Sequence, residues 1–246
     1  MAGVTRFRVG NTTKMLTQEY AKGRAADLIG DMSAPTVLLW HGMQTDSRAA
    51  LRPLAEMVSD HSLGVVVADW DSHAADGGRA DLLNSVDFAR RFAGAAQGLT
   101  LVGWSMGGVA AAGLTIHSQR FDISLVHTVC LGGAFMARDP ISGEHVAEGL
   151  TPEAAGTPFT LVHGVHDDVV PASASTDFAT SLERVGWPVH VVELDTDHGA
   201  IAGARYDATV DQYFPGDDAQ TRKTAADVAA LIAAAAGAEP HTNPPT

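Results

Sequence analysis

The segment that most constrains the fold of this chain is residues 99–108, with the sequence LTLVGWSMGG. It begins as a short apolar run, continues into the pattern Gly-x-Ser-x-Gly, and is followed by an alanine-rich stretch over 109–116. The apolar run predicts a buried strand, and the alanine-rich stretch predicts a helix. A strand, a sharp turn and a helix in this order hold the serine in strained backbone geometry, with its hydroxyl group exposed for attack. We therefore predict that Ser105 is a nucleophile at a strand-to-helix turn.

Apolar strand-like runs alternate with helix-like segments along the rest of the chain. The strands are predicted over 36–40, 64–69, 125–131, 159–164 and 189–194, and the helices over 49–61, 80–96, 172–185 and 219–236. Such alternation is typical of an α/β fold, with a mostly parallel central sheet and helices on both of its faces. Two more polar segments, 4–9 and 14–20, flank a Gly-Asn-Thr-Thr turn and predict an antiparallel hairpin at the edge of the sheet.

The chain is expected to form a single domain. No linker interrupts the alternation of strands and helices, and no internal repeat is present. We therefore expect one α/β domain over residues 1–238. Residues 239–246 are polar and rich in proline, so we expect this tail to be disordered.

The charge and the hydropathy of the chain limit its partners and its location. The formal net charge is −13, which argues against nucleic acid or an anionic membrane as the main partner. No apolar run reaches the ~18 residues of a membrane span, and the first residues lack the apolar core of a signal peptide. Cys130 is the single cysteine, so no disulfide can form within the chain. We expect a cytoplasmic protein.

Chemically reactive residues follow several of the predicted strands. Ser105 follows the strand 99–102, Asp167 comes shortly after the strand 159–164, and His198 follows the last strand. The segment His41-Gly42-Met43 follows the first core strand and offers a free backbone N–H group. The carboxyl ends of parallel strands lie at one edge of the sheet, where α/β proteins bind their ligands. We therefore expect these residues to meet in one site.

The chain resembles the α/β-hydrolase fold family from about residue 36 to its final helix. The matching motifs stand in the family's order: His41-Gly42, Gly103-Trp104-Ser105-Met106-Gly107-Gly108, His163-Gly-x-x-Asp167 with Val170-Pro171, and Asp197-His198-Gly199. The resemblance implies a serine hydrolase with a Ser-Asp-His order of triad residues. His41-Gly42 continues as Met43-Gln44, without the extra glycines of the His-Gly-Gly-Gly type, which implies a simpler oxyanion loop.

The resemblance gives each of these residues a chemical role. Ser105 would attack a carbonyl carbon, and His198 would take its proton, since an imidazole can both accept and return a proton near neutral pH. Asp167 would orient the imidazole and stabilise its protonated form. The neighbouring Asp168 is a second candidate for this role, although the family spacing favours Asp167. The backbone N–H groups of Met43 and Met106 would bind the oxyanion.

Other residues near the strand ends are candidates for the substrate pocket. Large apolar residues predict its lining: Trp70, Trp104, Phe135 and Met136. The connection 132–157 has about 26 residues, too few for the helical cap that many family members carry there, so we expect an open cleft. His41 and His163 precede glycines at strand ends and are expected to make structural hydrogen bonds within the loops.

No cofactor and no metal ion are expected. Acidic residues and histidines do lie close together in two loops: Asp69, Asp71, His73 and Asp76 in one, and Asp195, Asp197 and His198 in the other. Neither loop has the HExxH pattern or the spacing of a Cys/His site, and the glycine-rich turn lacks the ending of a phosphate-binding loop. The metal site is therefore a weaker alternative than the triad.

Together these features favour a hydrolase that cleaves a small-molecule carboxylic ester or thioester through an acyl-serine intermediate. The same triad would also serve to cleave an amide or a C–C bond, which is the first alternative. A second alternative is a non-catalytic binding protein on the hydrolase scaffold. The sequence specifies neither the acyl and alcohol groups of the substrate nor an oligomeric state.

Overall fold

The computed structural model describes residues 15–152 and 156–238 of the chain. The strands are β1 (Met15–Ala21), β2 (Arg24–Ile29), β3 (Thr36–Trp40), β4 (Gly64–Ala68), β5 (Leu99–Trp104), β6 (His127–Leu131), β7 (Phe159–Gly164), β8 (Val189–Leu194), β9 (Ala204–Asp207) and β10 (Gln212–Pro215). The α-helices are α1 (Arg52–Ser59), α2 (Arg79–Ala89), α3 (Met106–Ile116), α4 (Ser173–Arg184) and α5 (Ala219–Ala235). The predicted strand 4–9 and the predicted tail 239–246 lie outside the described residues.

The sheet is mostly parallel, as the alternation of apolar strands and helices predicts. Its eight strands have the order β1-β2-β4-β3-β5-β6-β7-β8. Strands β3 to β8 pair in parallel, whereas β2 pairs antiparallel with β4, and β1 antiparallel with β2. The carboxyl ends of β3, β5, β7 and β8 therefore lie at one edge of the sheet, which brings the loops after them together.

Alternate residues of the central strands supply the two faces of the sheet. Val37 and Leu39 of β3 belong to the apolar cluster that includes α1 and α5. Leu38, between them, belongs to the cluster that includes α2 and α3. Because both faces are covered, β3 is buried along its whole length, and its sequence is a continuous apolar run rather than an alternating one.

An N-terminal antiparallel hairpin lies at the edge of the sheet, as predicted, but its two arms are β1 and β2. The segment predicted over 14–20 corresponds to β1, whereas its predicted pairing with 4–9 lies outside the described residues. Strand β2 was not predicted because two charged residues, Arg24 and Asp27, interrupt its apolar pattern. Arg24 is paired with Asp46 and Asp81, at 2.8 and 2.7 Å, and Asp27 is paired with Arg48 at 3.1 Å.

One predicted helix is wrong in its length. The helix predicted over 80–96 ends at Ala89, and a separate 3₁₀ turn follows over Ala93–Ala96. At Gly94 the backbone packs directly against residue 34, since a Cβ atom there would lie 1.6 Å from the carbonyl oxygen of Ala34. The Gly94 N–H group also donates to the carbonyl of Met32 at 3.0 Å. This contact with another loop takes the backbone out of the helical path.

The segments over the carboxyl edge of the sheet are short. In the described part of the connection 132–157, the structure has one 3₁₀ turn, Val146–Gly149, and no α-helix, in keeping with the open cleft expected from its length. An unpredicted hairpin of β9 and β10 lies between His198 and α5 and forms its own two-stranded sheet. Among the described residues, no helix is long and apolar enough to cross a membrane.

Candidate active site

Ser105 lies at the predicted turn between a strand and a helix. Strand β5 ends at Trp104, helix α3 begins at Met106, and Ser105 between them has φ 56° and ψ −117°. A positive φ is strained for a residue with a side chain, so the surrounding hydrogen bonds have to maintain it. The N–H group of Ser105 donates to the carbonyl of Leu131 at 2.9 Å, and its carbonyl accepts from the N–H group of Ala134 at 3.1 Å. The next strand and its loop thus hold the turn in place.

Asp167 and His198 form a direct pair. Nδ1 of His198 lies 2.6 Å from Oδ2 of Asp167, and both side chains are almost completely buried. The other carboxylate oxygen accepts from the backbone N–H groups of Val169 and Val170, at 3.0 and 2.8 Å. Burial alone would raise the pKa of Asp167, but the hydrogen bonds from His163, His198 and Val170 outweigh it and hold the pKa well below its usual range. The carboxylate is therefore ionised and fixed in direction.

The carboxylate that meets the imidazole is Asp167, and its neighbour is placed differently. Asp168 is exposed and lines the cleft. The geometry thus favours the first of the two candidates for the triad acid.

His163 is a second imidazole against the same carboxylate. Its Nε2 atom lies 2.9 Å from the carbonyl oxygen of Val170 and 3.3 Å from Oδ2 of Asp167, and its Nδ1 atom lies 2.7 Å from Oγ of Ser175. Burial would lower the pKa of His163, but the hydrogen bonds to Asp167 and Val170 and the nearby negative charges together outweigh it, and the pKa is raised. The expected loop hydrogen bonds are present, and they include the candidate triad acid.

Ser105 and His198 line one open cleft of about 1170 Å³. Gly42 lies beside Ser105, because a Cβ atom on this glycine would be 3.3 Å from the Cβ atom of Ser105. Trp104 also lines the cleft, as predicted, and its indole N–H donates to the carbonyl of His198 at 2.8 Å. The Trp104 side chain therefore also fixes the loop that carries His198.

The other three residues predicted to line the pocket do not line this cleft. Trp70 is fully buried; its indole N–H donates to the carbonyl of His41 at 3.0 Å, and its ring stacks on that imidazole. Phe135 is buried against Phe178, with ring centroids 4.3 Å apart. Met136 is half exposed outside the cleft. Position near a strand end does not determine the direction of a side chain, and these predictions are corrected accordingly.

His41 holds the loop that contains the oxyanion candidate Met43. Its Nδ1 atom is 2.9 Å from the carbonyl oxygen of Gly42, and its Nε2 atom accepts from the N–H groups of Trp70 and Ser47, at 3.1 and 3.3 Å. Burial lowers the pKa of His41 to about 4, so it is the neutral ring that donates to Gly42. The carbonyl and the N–H group of a trans peptide point in opposite directions. The bond to Gly42 therefore turns the Met43 N–H group away from His41.

The second oxyanion candidate is the first residue of a helix. Met106 begins α3, and the N–H groups of a first helical turn have no carbonyl partner within the helix. The helix dipole adds positive potential at this end. An N–H group at this position, directly after Ser105, is suited to bind negative charge that develops on a substrate bonded to the serine.

The hairpin of β9 and β10 supplies one wall of the cleft, which the sequence did not reveal. Arg205, Tyr206, Asp211 and Tyr213 line the cleft from this hairpin. The ring of Tyr213 meets the ring of Trp104 edge-on at 4.8 Å, and burial raises the pKa of Tyr213 to about 12. The signal in the sequence is two short segments with aromatic residues, ARYD and QYFP, on either side of a turn.

The acidic loops do not form a metal site in the part of the chain that the structure describes: no three His, Cys, Asp or Glu side chains are grouped to hold an ion. Their carboxylates have other partners. Asp69 pairs with Arg48, Asp71 lies 3.3 Å from Arg24, and Asp195 lies 2.7 Å from His166. These groups stabilise the loops around the cleft.

The fold is similar to that of several solved hydrolases. One is an esterase from the Planctomycetes species Thermogutta terrifontis, with 16% identity, a TM-score of 0.71, and coverage of 93% of this chain and 95% of that chain. Another is MGS-M1, an alpha/beta hydrolase enzyme from a Medee basin deep-sea metagenome library, with 16% identity, a TM-score of 0.65, and coverage of 92% and 98%. A third is the Thermogutta terrifontis esterase 2 phosphorylated by paraoxon, with 16% identity, a TM-score of 0.69, and coverage of 94% and 97%.

No protein-family model and no curated protein sequence matches this chain. The likeness to the solved structures spans nearly the whole chain and includes the parallel sheet that carries the candidate site. The chain therefore has the α/β-hydrolase fold.

Proposed function

We propose that this protein is a serine hydrolase that cleaves a carboxylic ester or thioester through an acyl-serine intermediate. The observation that carries the proposal is the arrangement of Ser105 and the His198–Asp167 pair. Ser105 lies at a strained turn, His198 is bound to Asp167 at 2.6 Å, and Ser105 and His198 line one cleft. A buried carboxylate bound to Nδ1 leaves Nε2 of the imidazole as the basic atom.

The acylation step follows from these roles. Nε2 of His198 accepts the hydroxyl proton of Ser105 as Oγ bonds to the carbonyl carbon of the ester. The N–H groups of Met43 and Met106 are proposed to bind the oxygen of the tetrahedral intermediate, where loss of one donor typically lowers turnover by ~10²–10³. The bond to the alcohol or thiol then breaks, and His198 gives its proton to the leaving group.

Deacylation repeats the same proton transfers with water. His198 removes a proton from a water molecule, whose oxygen bonds to the acyl carbon. The bond to Oγ of Ser105 breaks, Ser105 takes the proton back, and the carboxylic acid leaves. Asp167 remains ionised throughout and stabilises the imidazolium ion in both steps.

The compared structures and the shape of the cleft support this proposal. Thermogutta terrifontis esterase 2 is an esterase, and it is phosphorylated by paraoxon, an organophosphorus reagent. The cleft of this chain, about 1170 Å³, is open, and no α-helix covers it among the described residues of the connection 132–157. An open cleft suits a small ester. We further propose a cytoplasmic location, as expected from the single cysteine, Cys130, which is free.

Turnover of p-nitrophenyl acetate and butyrate by wild type and by Ser105→Ala tests the proposal. We expect Ser105→Ala to lower kcat by at least ~10³-fold, since the triad acts as a unit. Ser181→Ala is the control, because Ser181 lies on α4 and its hydroxyl donates to the helix carbonyl of Asp177 at 3.1 Å. Equal turnover by wild type and Ser105→Ala would refute the assignment.

A fluorophosphonate probe separates the proposal from its alternatives. We expect one probe molecule on Ser105 per chain, located by peptide mass analysis. Labelling combined with amide or diketone turnover above ester turnover would indicate an amide or C–C bond hydrolase. No labelling of the folded protein would indicate a binding protein on the hydrolase scaffold.

A further inference from the structure

The hairpin of β9 and β10 needs support from the rest of the molecule. It is a sheet of two strands, which is marginally stable by itself in water. One support is apolar: the ring of Tyr213 packs on Trp104, and it also approaches Gly199, where a Cβ atom would lie 3.0 Å from the ring. The hairpin therefore lies on the two segments that carry Ser105 and His198.

A second support is polar and comes from Gln44. Its amide nitrogen donates to the carbonyl of Asp211 at 2.7 Å, and its amide oxygen accepts from the N–H group of Tyr213 at 3.0 Å. Both ends of the amide group thus bind backbone groups at the start of β10, on Asp211 directly before the strand and on Tyr213 within it, as the backbone of a further strand would. The two partners are 167 and 169 residues away in sequence, so the contact joins two distant loops.

Gln44 directly follows the proposed oxyanion donor. The loop is held at Gly42, whose carbonyl accepts from His41 at 2.9 Å, and at Met43, whose carbonyl accepts from Oγ of Ser72 at 2.6 Å. Gln44 is the third fixed point, and it is the one that connects the loop to the hairpin. The Met43 N–H group lies in the chain between the first two of these points, and Gln44 is the next residue, so loss of the third point leaves the loop held on one side only.

We propose that Gln44 is a positioning residue that fixes the oxyanion loop, residues 42–44, against the outer edge of β10. The amide group of Gln44 then determines two features of the cleft. These are the direction of the Met43 N–H group and the position of the wall that carries Tyr206 and Tyr213. This inference rests on the proposed function for its catalytic consequence. Its structural part, the coupling of loop and hairpin, stands independently of any activity.

The proposed role has two expected consequences. Displacement of an oxyanion donor weakens an interaction made in the transition state, so kcat falls while KM for a small ester changes little. A displacement of ~1 Å at an active site can lower the rate by ~10²-fold. In addition, release of the hairpin exposes its backbone N–H groups to exchange with solvent. Substitution of a residue that only stabilises the fold would change neither kcat nor the exchange of the hairpin, as long as the same fraction of the protein stays folded.

The test compares Gln44→Met with Gln97→Met. Methionine keeps the length of the side chain and removes both hydrogen bonds. Gln97 is a matched control because its amide nitrogen also donates to a backbone carbonyl, that of Ser33, at 2.7 Å, in an exposed loop outside the cleft. Gln44→Glu is a second variant, which retains an acceptor for the Tyr213 N–H group and lacks the donor to Asp211.

Hydrogen exchange and steady-state kinetics give the two measurements. We expect Gln44→Met to increase exchange at least tenfold in peptides covering 42–46 and 204–216, and to lower kcat for p-nitrophenyl acetate by ~10–100-fold with KM within about threefold of wild type. Gln97→Met is expected to match wild type in both. Unchanged exchange in Gln44→Met and Gln44→Glu would overturn the proposal, as would increased exchange with unchanged kcat. If wild type fails to cleave esters, the proposed function fails, while exchange still decides whether Gln44 couples the loop to the hairpin.

Discussion

His163 and His198 contact the same oxygen of one carboxylate: their nearest ring nitrogens lie 3.3 and 2.6 Å from Oδ2 of Asp167. A carboxylate oxygen with two imidazole partners is held from two directions. His163 therefore helps to fix the carboxylate that His198 binds. His163, which precedes the glycine of the His-Gly-x-x-Asp motif, thus bears on the placement of the proposed triad acid.

Removal of His163 is predicted to lower activity. In His163→Leu, Asp167 loses one of its hydrogen-bond partners, and its carboxylate is held less firmly against His198. The looser placement of Asp167 is expected to lower kcat/KM for p-nitrophenyl acetate by about tenfold, or ~1.4 kcal/mol.

Two further variants make this prediction specific. His163→Gln retains an N–H donor and is expected to return kcat/KM towards that of wild type. His190→Gln is the control, because His190 lies exposed on the neighbouring strand β8. Equal kcat/KM in His163→Leu and wild type would show that His163 does not position Asp167.

Asp167→Asn and Asp168→Asn are predicted to differ by orders of magnitude. An amide at 167 cannot stabilise the imidazolium ion and favours the wrong tautomer of His198, so kcat is expected to fall by ~10⁴-fold. Asp168 lines the cleft without binding the imidazole, and its substitution is expected to change kcat by less than tenfold. Comparable losses in the two variants, measured with p-nitrophenyl acetate, would contradict the assignment of Asp167.

The sequence was sufficient to predict the central strands and the candidate triad, and the reason lies in burial. Strands such as β3 and β7 are covered on both faces, so their sequences are continuous apolar runs that are easily recognised. The parallel arrangement then brings the residues after these strands to one edge. Ser105 and His198 were therefore predictable from their order along the chain, whereas Asp167 was preferred to Asp168 only by the family spacing.

The wall of the cleft was not predictable in the same way. Strands β9 and β10 are largely exposed and have no continuous apolar run, and their position depends on contacts with Gln44 and Trp104, which are distant in sequence. The prediction for Trp70 fails in the opposite way, because a residue predicted to line the cleft is fully buried. It follows a strand end, but its ring turns inwards and covers Gly78, where a Cβ atom would lie 2.5 Å from the indole. Local sequence does not specify which way such a side chain turns.

Gly132→Ala is predicted to affect activity more than stability. Gly132 has φ +50°, and a Cβ atom there would lie 3.1 Å from Oδ2 of Asp167 and 3.2 Å from Nδ1 of His198. Alanine would therefore press on the hydrogen bond between these two residues. Gly143→Ala is a matched control, since Gly143 has φ +79° and nothing lies within 4 Å of its Cβ position.

The two glycine variants should be separated by measuring both unfolding in urea and ester turnover. Each is expected to lose ~1–2 kcal/mol of stability, the usual cost of a side chain in the left-handed region. Only Gly132→Ala is expected to lower kcat/KM, by more than tenfold. Equal kcat/KM in the two variants would indicate that the pair of Asp167 and His198 tolerates the added methyl group.

Tyr206→Ala is predicted to change substrate preference. Tyr206 lines the cleft, is 45% exposed, and lies 5.1 Å from Tyr213 between ring centroids, so the two rings form an aromatic surface. An aromatic acyl group packed against such a surface gains ~0.5–1.5 kcal/mol beyond its buried area. We expect kcat/KM for methyl phenylacetate to fall several-fold more than that for methyl acetate, with acid release followed in a pH-stat.

Phe214→Ala is the control for this change of preference. Phe214 lies on the same hairpin and is 38% exposed, but it does not line the cleft. Its substitution is expected to leave the ratio of the two kcat/KM values as in wild type. The same ratio in Tyr206→Ala as in Phe214→Ala would mean that the aromatic surface does not contact the acyl group.

His41 is predicted to make the protein less stable in acid. Its Nε2 atom accepts two backbone N–H groups, from Trp70 and Ser47, and a proton on this nitrogen would break both bonds. Burial lowers the pKa of His41 from 6.5 to about 4, so between these values the unfolded chain binds a proton that the folded chain does not. The free energy of unfolding therefore falls as the pH is lowered through this window, by on the order of 3 kcal/mol from this one group.

The contribution of His41 is measured as a difference between variants, because other groups titrate in the same range. Urea unfolding followed by tryptophan fluorescence at pH 4 to 7 gives the free energy of unfolding for wild type, His41→Gln and the exposed control His190→Gln. Glutamine has no proton to gain in this window, so the curve of His41→Gln is expected to be flatter than the other two. Parallel curves for all three would mean that the folded and the unfolded chain bind the proton of His41 equally readily. The loop that presents the Met43 N–H group would then not depend on a neutral His41.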